Sequence, residues 1–154
     1  MSFEQKLSAA GIELPSPAAP FANYVPFVRE GNLVFIAGQG PIGLDGKIAY
    51  VGRVGSDLTE EEGYRSARSC GLNCLAQVRA ALGTLDAVKR IVSLRGFVNS
   101  AEDFFNQAQV VNGASDLMVE VFGDAGRHAR AAVGTSVLPM NIATEVELIV
   151  AAKD

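Results

Sequence analysis

The chain has no tryptophan, one histidine, two cysteines and three tyrosines in 154 residues. Aromatics make up only 7%, so small aliphatic side chains must fill the core. One histidine and two cysteines are too few to complete a zinc site. Cys70 and Cys74 stand four apart in a predicted helix, where adjacent turns do not offer disulfide geometry. Reduced, buried thiols are expected. Long apolar runs are missing too: "LVFIAG" falls far short of the roughly 20 residues that span a bilayer. "MSFEQKLSAAGIELP" has no basic segment leading into an apolar stretch, so the reading is no secretory signal and a cytoplasmic protein. Basic excess is absent as well. A net charge of −4 and a pI near 5.0 argue against a broad nucleic-acid footprint, while leaving room for a local basic pocket.

What is present is apolar substance: 49% hydrophobic residues and a mean hydropathy of +0.22. That suffices for one core, so residues 1–154 read as a single domain. The surplus predicts apolar surface hidden between subunits.

"SFEQKLSAAG" has helical spacing, and with the Pro-rich "LPSPAAP" it forms a lead-in over about residues 1–19. "YVPFV" and "NLVFIAGQ" read as strands around a "REGN" turn, and "KIAYVG" as a third short strand. Thr59 and Glu62 form a capping box opening a long helix that Gly83 ends. Its predicted buried face holds Tyr64, Ala67, Gly71, Leu75, Val78 and Leu82. "VKRIVSLRGFVNS" is a strand. A second helix is predicted from Ser100 as its cap to Gly123, with Phe105, Ala108, Val111 and Met118 in its stripe. "ARAAVGTSVL" and "ATEVELIVAA" close the chain as strands. The order predicts an α+β domain, a mixed sheet with two main helices packed on one face.

"GQGPIG", Gly38 to Gly43, matches a dinucleotide-binding pattern, but Pro41 and "LDGK" stand where a helix must open. It is read as a tight turn. "EVE" places Glu145 and Glu147 on one face of the last strand, either as a solvated face or as an acid–base pair. Arg130, at the start of the preceding strand, either clamps a ligand carboxylate through its fork of N–H donors or pairs with one of these glutamates. Glu145 and Arg130 are expected to converge. His128, beside Arg127 and Arg130, reads as a neutral surface or interface residue. Ser136 and Thr135 lack a base partner.

"ARAAVGTSVLPMNIATEVELIVAA" resembles the C-terminal signature of the RidA/YjgF family, the 2-iminopropanoate deaminases also labelled endoribonuclease L-PSP. "GNLVFIAGQGPIGLDGKI" is similar to the family's early strand and Gly-Gln turn, and the order of elements agrees from about Pro20 to Ala152. The resemblance implies a chorismate-mutase-like (YjgF-like) fold and a homotrimer with clefts between subunits. It also implies no metal or bound cofactor, and enamine or imine substrates of the 2-aminoacrylate type. Residue by residue, it makes Arg130 the carboxylate clamp and Glu145 the group that positions or deprotonates water. Tyr24, Gly38, Asn112 and Ala132 become substrate-binding positions. Ala37 and Ala132 replace a hydroxyl residue and a cysteine usual in the family, and His128 replaces a small residue or proline. "YVGRVGSDLTEEEG" and the N-terminal helix add length, so the resemblance is to a divergent, longer subgroup. Three functions follow: imine deaminase, a non-catalytic trimeric binder of small carboxylates, and, weakest on charge and histidine count, endoribonuclease.

Overall fold

A computed structural model describes all residues, 1–154. Helix α1 spans Phe3–Ala9, strands β1 and β2 span Phe27–Glu30 and Leu33–Gln39, and helix α2 spans Glu60–Leu82. Strand β3 (Val88–Asn99), helix α3 (Gln107–Phe122), β4 (Ala129–Thr135) and β5 (Thr144–Ala152) complete the chain. The five strands lie in the order β1-β2-β5-β3-β4. Only β3 and β4 run parallel. Parallel neighbours need a crossover, which α3 supplies. No helix is long and apolar enough to cross a membrane.

Helix α2 starts and stops where its sequence says. Thr59 accepts from the Glu62 backbone while Glu62 reaches back to Thr59, and Gly83 takes the left-handed conformation at φ 83° that a side chain would resist. Ala67, Cys70, Cys74, Leu75 and Val78 of α2 meet Val111, Ala114, Leu117 and Met118 of α3 over Ile36, Leu94, Val146 and Leu148 of the sheet. All helices therefore cover one face, as the periodicity predicts. Both thiols are free and buried; burial pushes Cys70 up to about 12 and Cys74 well above its ordinary value, so neither is reactive. Helix α1 is stapled to this layer by a T-shaped Phe3–Phe122 contact. Glu4 strengthens it, accepting 2.6 Å from Arg79 and 2.9 Å from the Leu85 backbone.

Three expectations need correction. Helix α3 begins at Gln107 and not at Ser100: the Ser100 hydroxyl donates instead to the Val98 carbonyl at 2.9 Å, and the Gln107 side-chain amide donates back to Ser100 Oγ and the Phe104 carbonyl. Phe105, 80% exposed, and Ala108 consequently stand outside the buried stripe. "KIAYVG" forms no strand: its pairings, Ile42–Ile48 and Val51–Ile142, are isolated bridges.

Candidate functional site

The strand order separates the two residues expected to converge. Strand β3 lies between β4 and β5, so Arg130 and Glu145 are two strand spacings apart, roughly 10 Å laterally. They also face opposite ways. Arg130 is in register with Leu94 and, beyond it, Leu148, both in the core beneath the helices. Glu145 alternates with the buried Val146 and so projects from the open face. Within one chain the predicted site residues form two groups.

The first group is Tyr24, Gly38 and Glu145. They border a groove of about 690 Å³ between the 18–26 passage, the turn after β2 and the Pro139–Ile142 corner. A methyl group on Gly38 would lie 2.9 Å from Glu145 Cδ, so glycine there lets the carboxylate sit against the backbone. Burial, with Glu147 adding like charge, holds the Glu145 carboxyl above its usual range. The second carboxylate of "EVE" is engaged elsewhere: Glu147 accepts from Arg95 at 2.7 Å. The groove's far wall is a strained corner where Met140 and Asn141 adopt positive φ of 57° and 55°. Buried Asn99 holds it, donating to Asn141 Oδ1 at 3.0 Å and to the Ile142 carbonyl at 3.1 Å. Apart from Tyr24, the aromatic and aliphatic walls (Phe21, Val25, Ile48, Met140) were not read as site residues, since the Pro-rich lead-in carries no chemical motif.

The second group gathers at the β4 edge against α3: Arg130, Asn112 and Ala132. Arg130 donates through Nη1 to Asn112 Oδ1 at 2.7 Å and Ser115 Oγ at 3.2 Å, and through Nη2 to the Ala108 carbonyl at 3.3 Å. It forms no ion pair, although five other arginines do. Ala132 stands on the same face as Arg130, two residues on, and packs toward the core. His128 is half-buried rather than simply exposed: its ring nitrogens lie 2.9 Å from Ser115 Oγ and 2.6 Å from the Gly126 carbonyl oxygen. Burial, then the charge of Arg130, lowers its pKa against the opposing Gly126 bond. Ser115 was missed by the sequence reading; its position three residues beyond Asn112, on the same helical face, was the available signal. "GQGPIG" opens no helix and turns back through a Gly43–Lys47 backbone bond.

Helices on one face of a five-stranded mixed sheet, one antiparallel set closed by a parallel crossover, define a chorismate-mutase-like α+β domain. The chain belongs to the family described as "YjgF/chorismate mutase-like, putative endoribonuclease", which it matches over residues 4–152. It is 48% identical to Protein TCP17 of Trypanosoma cruzi over 145 residues, covering 94% of this chain and 90% of that one. Among solved structures it is similar to a "putative endoribonuclease" of Shewanella oneidensis, at 39% identity and TM-score 0.94, covering 98% of this chain and 99% of that one. It is also similar to TdcF of E. coli, solved with bound serine, at 27% identity and TM-score 0.62, covering 92% and 94% respectively.

Proposed function

We propose that this protein hydrolyses 2-imino acids of the 2-aminoacrylate type to 2-oxo acids and ammonium, in clefts assembled between copies of the chain. One observation carries the reading: a guanidinium fastened by three neutral acceptors, with no carboxylate partner, keeps its charge for an anionic ligand. Of its five N–H groups, the Nε–H and one on Nη2 remain, and a planar fork of that kind matches both oxygens of a carboxylate. The serine held by TdcF carries the same group.

Because Arg130 and Glu145 face opposite sides of one sheet, a substrate touches both only where a second copy brings its β4 edge to the first copy's groove. A homotrimer closes that head-to-tail contact without leaving a free end. The open face suits such burial, with Val28, Phe35 and Val133 at 51%, 43% and 45% exposure. Tyr24 and Gly38 then border the substrate beside Glu145, with Asn112 and Ala132 beside Arg130. Glu145 takes a proton from water as the water oxygen bonds to the imine carbon. That proton passes to nitrogen, the hydroxyl proton of the resulting carbinolamine follows it, and the C–N bond breaks as the carbonyl forms, releasing ammonia that water protonates to ammonium. A carboxyl held above its usual range is the stronger base for the first step.

The test is hydrolysis of 2-aminoacrylate generated in situ, by wild type and by Arg130→Ala. Acceleration by wild type, with a loss of at least tenfold in the variant, supports the reading; equal rates refute the clamp. A non-catalytic carboxylate binder is the second reading, favoured by Ala37 and Ala132 in place of a hydroxyl and a thiol, and it predicts binding without turnover. Endoribonuclease activity, which the family description carries, has no histidine pair to support it: the single His128 is engaged with Ser115.

A further inference from the structure

We infer that Ser115 and His128 are positioning residues for Arg130, forming a directional hydrogen-bond relay that fixes the guanidinium before any ligand arrives. This rests on the reading of Arg130 as a carboxylate clamp. The direction of the relay follows from what each atom can do. The Gly126 carbonyl can only accept, so His128 Nδ1, 2.6 Å away, carries the ring proton. In the neutral ring Nε2 is then bare, and the Ser115 hydroxyl at 2.9 Å must donate to it. With its proton committed to His128, the Ser115 oxygen presents lone pairs to Arg130 Nη1 at 3.2 Å. Asn112 Oδ1 takes the second Nη1 hydrogen at 2.7 Å, so that nitrogen is fully spent on α3.

Without His128, a serine in the middle of a helix would turn its proton back to the carbonyl four residues earlier. Its lone pairs would then no longer be aimed at β4. The histidine therefore sets the rotor of Ser115, and Ser115 sets the plane of Arg130. A bond donated to His128 also polarises the serine oxygen and strengthens its acceptance from the guanidinium. The lowered pKa of His128 agrees with a ring kept neutral beside Arg130.

The same pair is not arranged as a nucleophile and base. Ser115 lies in mid-helix, where the backbone N–H groups are spent on helical bonds and none is left to hold an oxyanion. Its oxygen already accepts from Arg130. The relay thus gives the histidine a role in orientation and leaves the proton chemistry to Glu145.

The experiment combines nitrogen-15 NMR of His128 and Arg130 with calorimetric binding of pyruvate, on wild type, Ser115→Ala, His128→Ala and His128→Gln. Wild type should show the Nδ1–H tautomer and slow rotation about the Arg130 Cζ–Nη1 bond. Both alanine variants should speed that rotation and weaken pyruvate binding about tenfold, the loss of one hydrogen bond to a charged group. Glutamine at 128 places a carbonyl oxygen near the Nε2 position and should restore binding to within about threefold. An Nε2–H tautomer, unchanged Arg130 rotation in Ser115→Ala, or a glutamine variant as weak as alanine would each overturn the relay. If wild type binds no pyruvate, the clamp function fails separately, and the Arg130 rotation rates alone decide the relay.

Discussion

Replacing Gly38 by alanine should disable chemistry while nearly sparing the fold. The new Cβ would sit 2.9 Å from Glu145 Cδ, 3.1 Å from Oε2 and 3.2 Å from Cγ. Carbon atoms prefer about 3.5–4.0 Å, so the carboxylate must retreat by about half to one ångström. It can do so, because Glu145 is only half-buried and its outer torsions are soft; the cost to the fold is about 1 kcal/mol. That corresponds to a fall in Tm of about 2–4 °C for a domain of this size. A catalytic group misplaced by about 1 Å can cost about a hundredfold in rate. We therefore expect kcat/KM for 2-aminoacrylate to fall about 10–100-fold in Gly38→Ala. Glu145→Gln, which removes the proposed base, should lose about 10²–10⁴-fold. Since the methyl acts through Glu145, the double variant should be no worse than Glu145→Gln alone. Wild-type rates in Gly38→Ala, or losses that multiply in the double variant, would refute Glu145 as the base.

The acid side of the same reaction gives a second check. As the proposed base Glu145 would work deprotonated, and its pKa is raised, so kcat/KM should climb with pH through a limb above the ordinary 4.5 of a glutamate, and Glu147→Gln should move that limb downward; a pH–rate profile with its limb at or below 4.5 refutes the assignment. Stability has its own test at Gly113, where a methyl would run into the Tyr64 carbonyl of α2. Backbone against backbone cannot rotate away, so Gly113→Ala should cost about 3 kcal/mol and lower Tm by about 6–12 °C in thermal unfolding; an unchanged Tm would mean that the helices separate freely.

The parts of the molecule that were legible in the sequence are those decided within a few residues. The Thr59–Glu62 box, Gly83 and the alternation of β5 are local, and each stands where its chemistry put it. Ser100 was misread by the same local logic, because a serine near a helix start can bond its own strand's end instead, here the Val98 carbonyl. The short strand read into "KIAYVG" failed for a different reason. Ile48 and Val51 each make a single backbone bridge, to Ile42 and Ile142, without a neighbouring strand to extend the pairing.

The site itself is a question of topology. Glu145 and Arg130 lie fifteen residues apart on consecutive strands, and consecutive strands most often pair. A parallel crossover through α3 put β4 outside β3, and the pleat then sent the two side chains to opposite faces. Neither step is written in the residues around them. On the proposed function, the separation makes chemical sense for two charges that share one substrate. Had Arg130 met Glu145 in the same chain, each would have neutralised the other. Burial would have raised the cost of breaking the pair whenever a ligand arrived. Holding Arg130 by amide, hydroxyl and carbonyl oxygens keeps the clamp oriented and its charge unspent. Holding Glu145 against Gly38, half-buried and beside Glu147, raises its pKa and so its basicity. On the proposed function, assembly is then the event that joins an unspent cation to an unspent base, and an isolated chain, with both halves folded, would lack a complete active site.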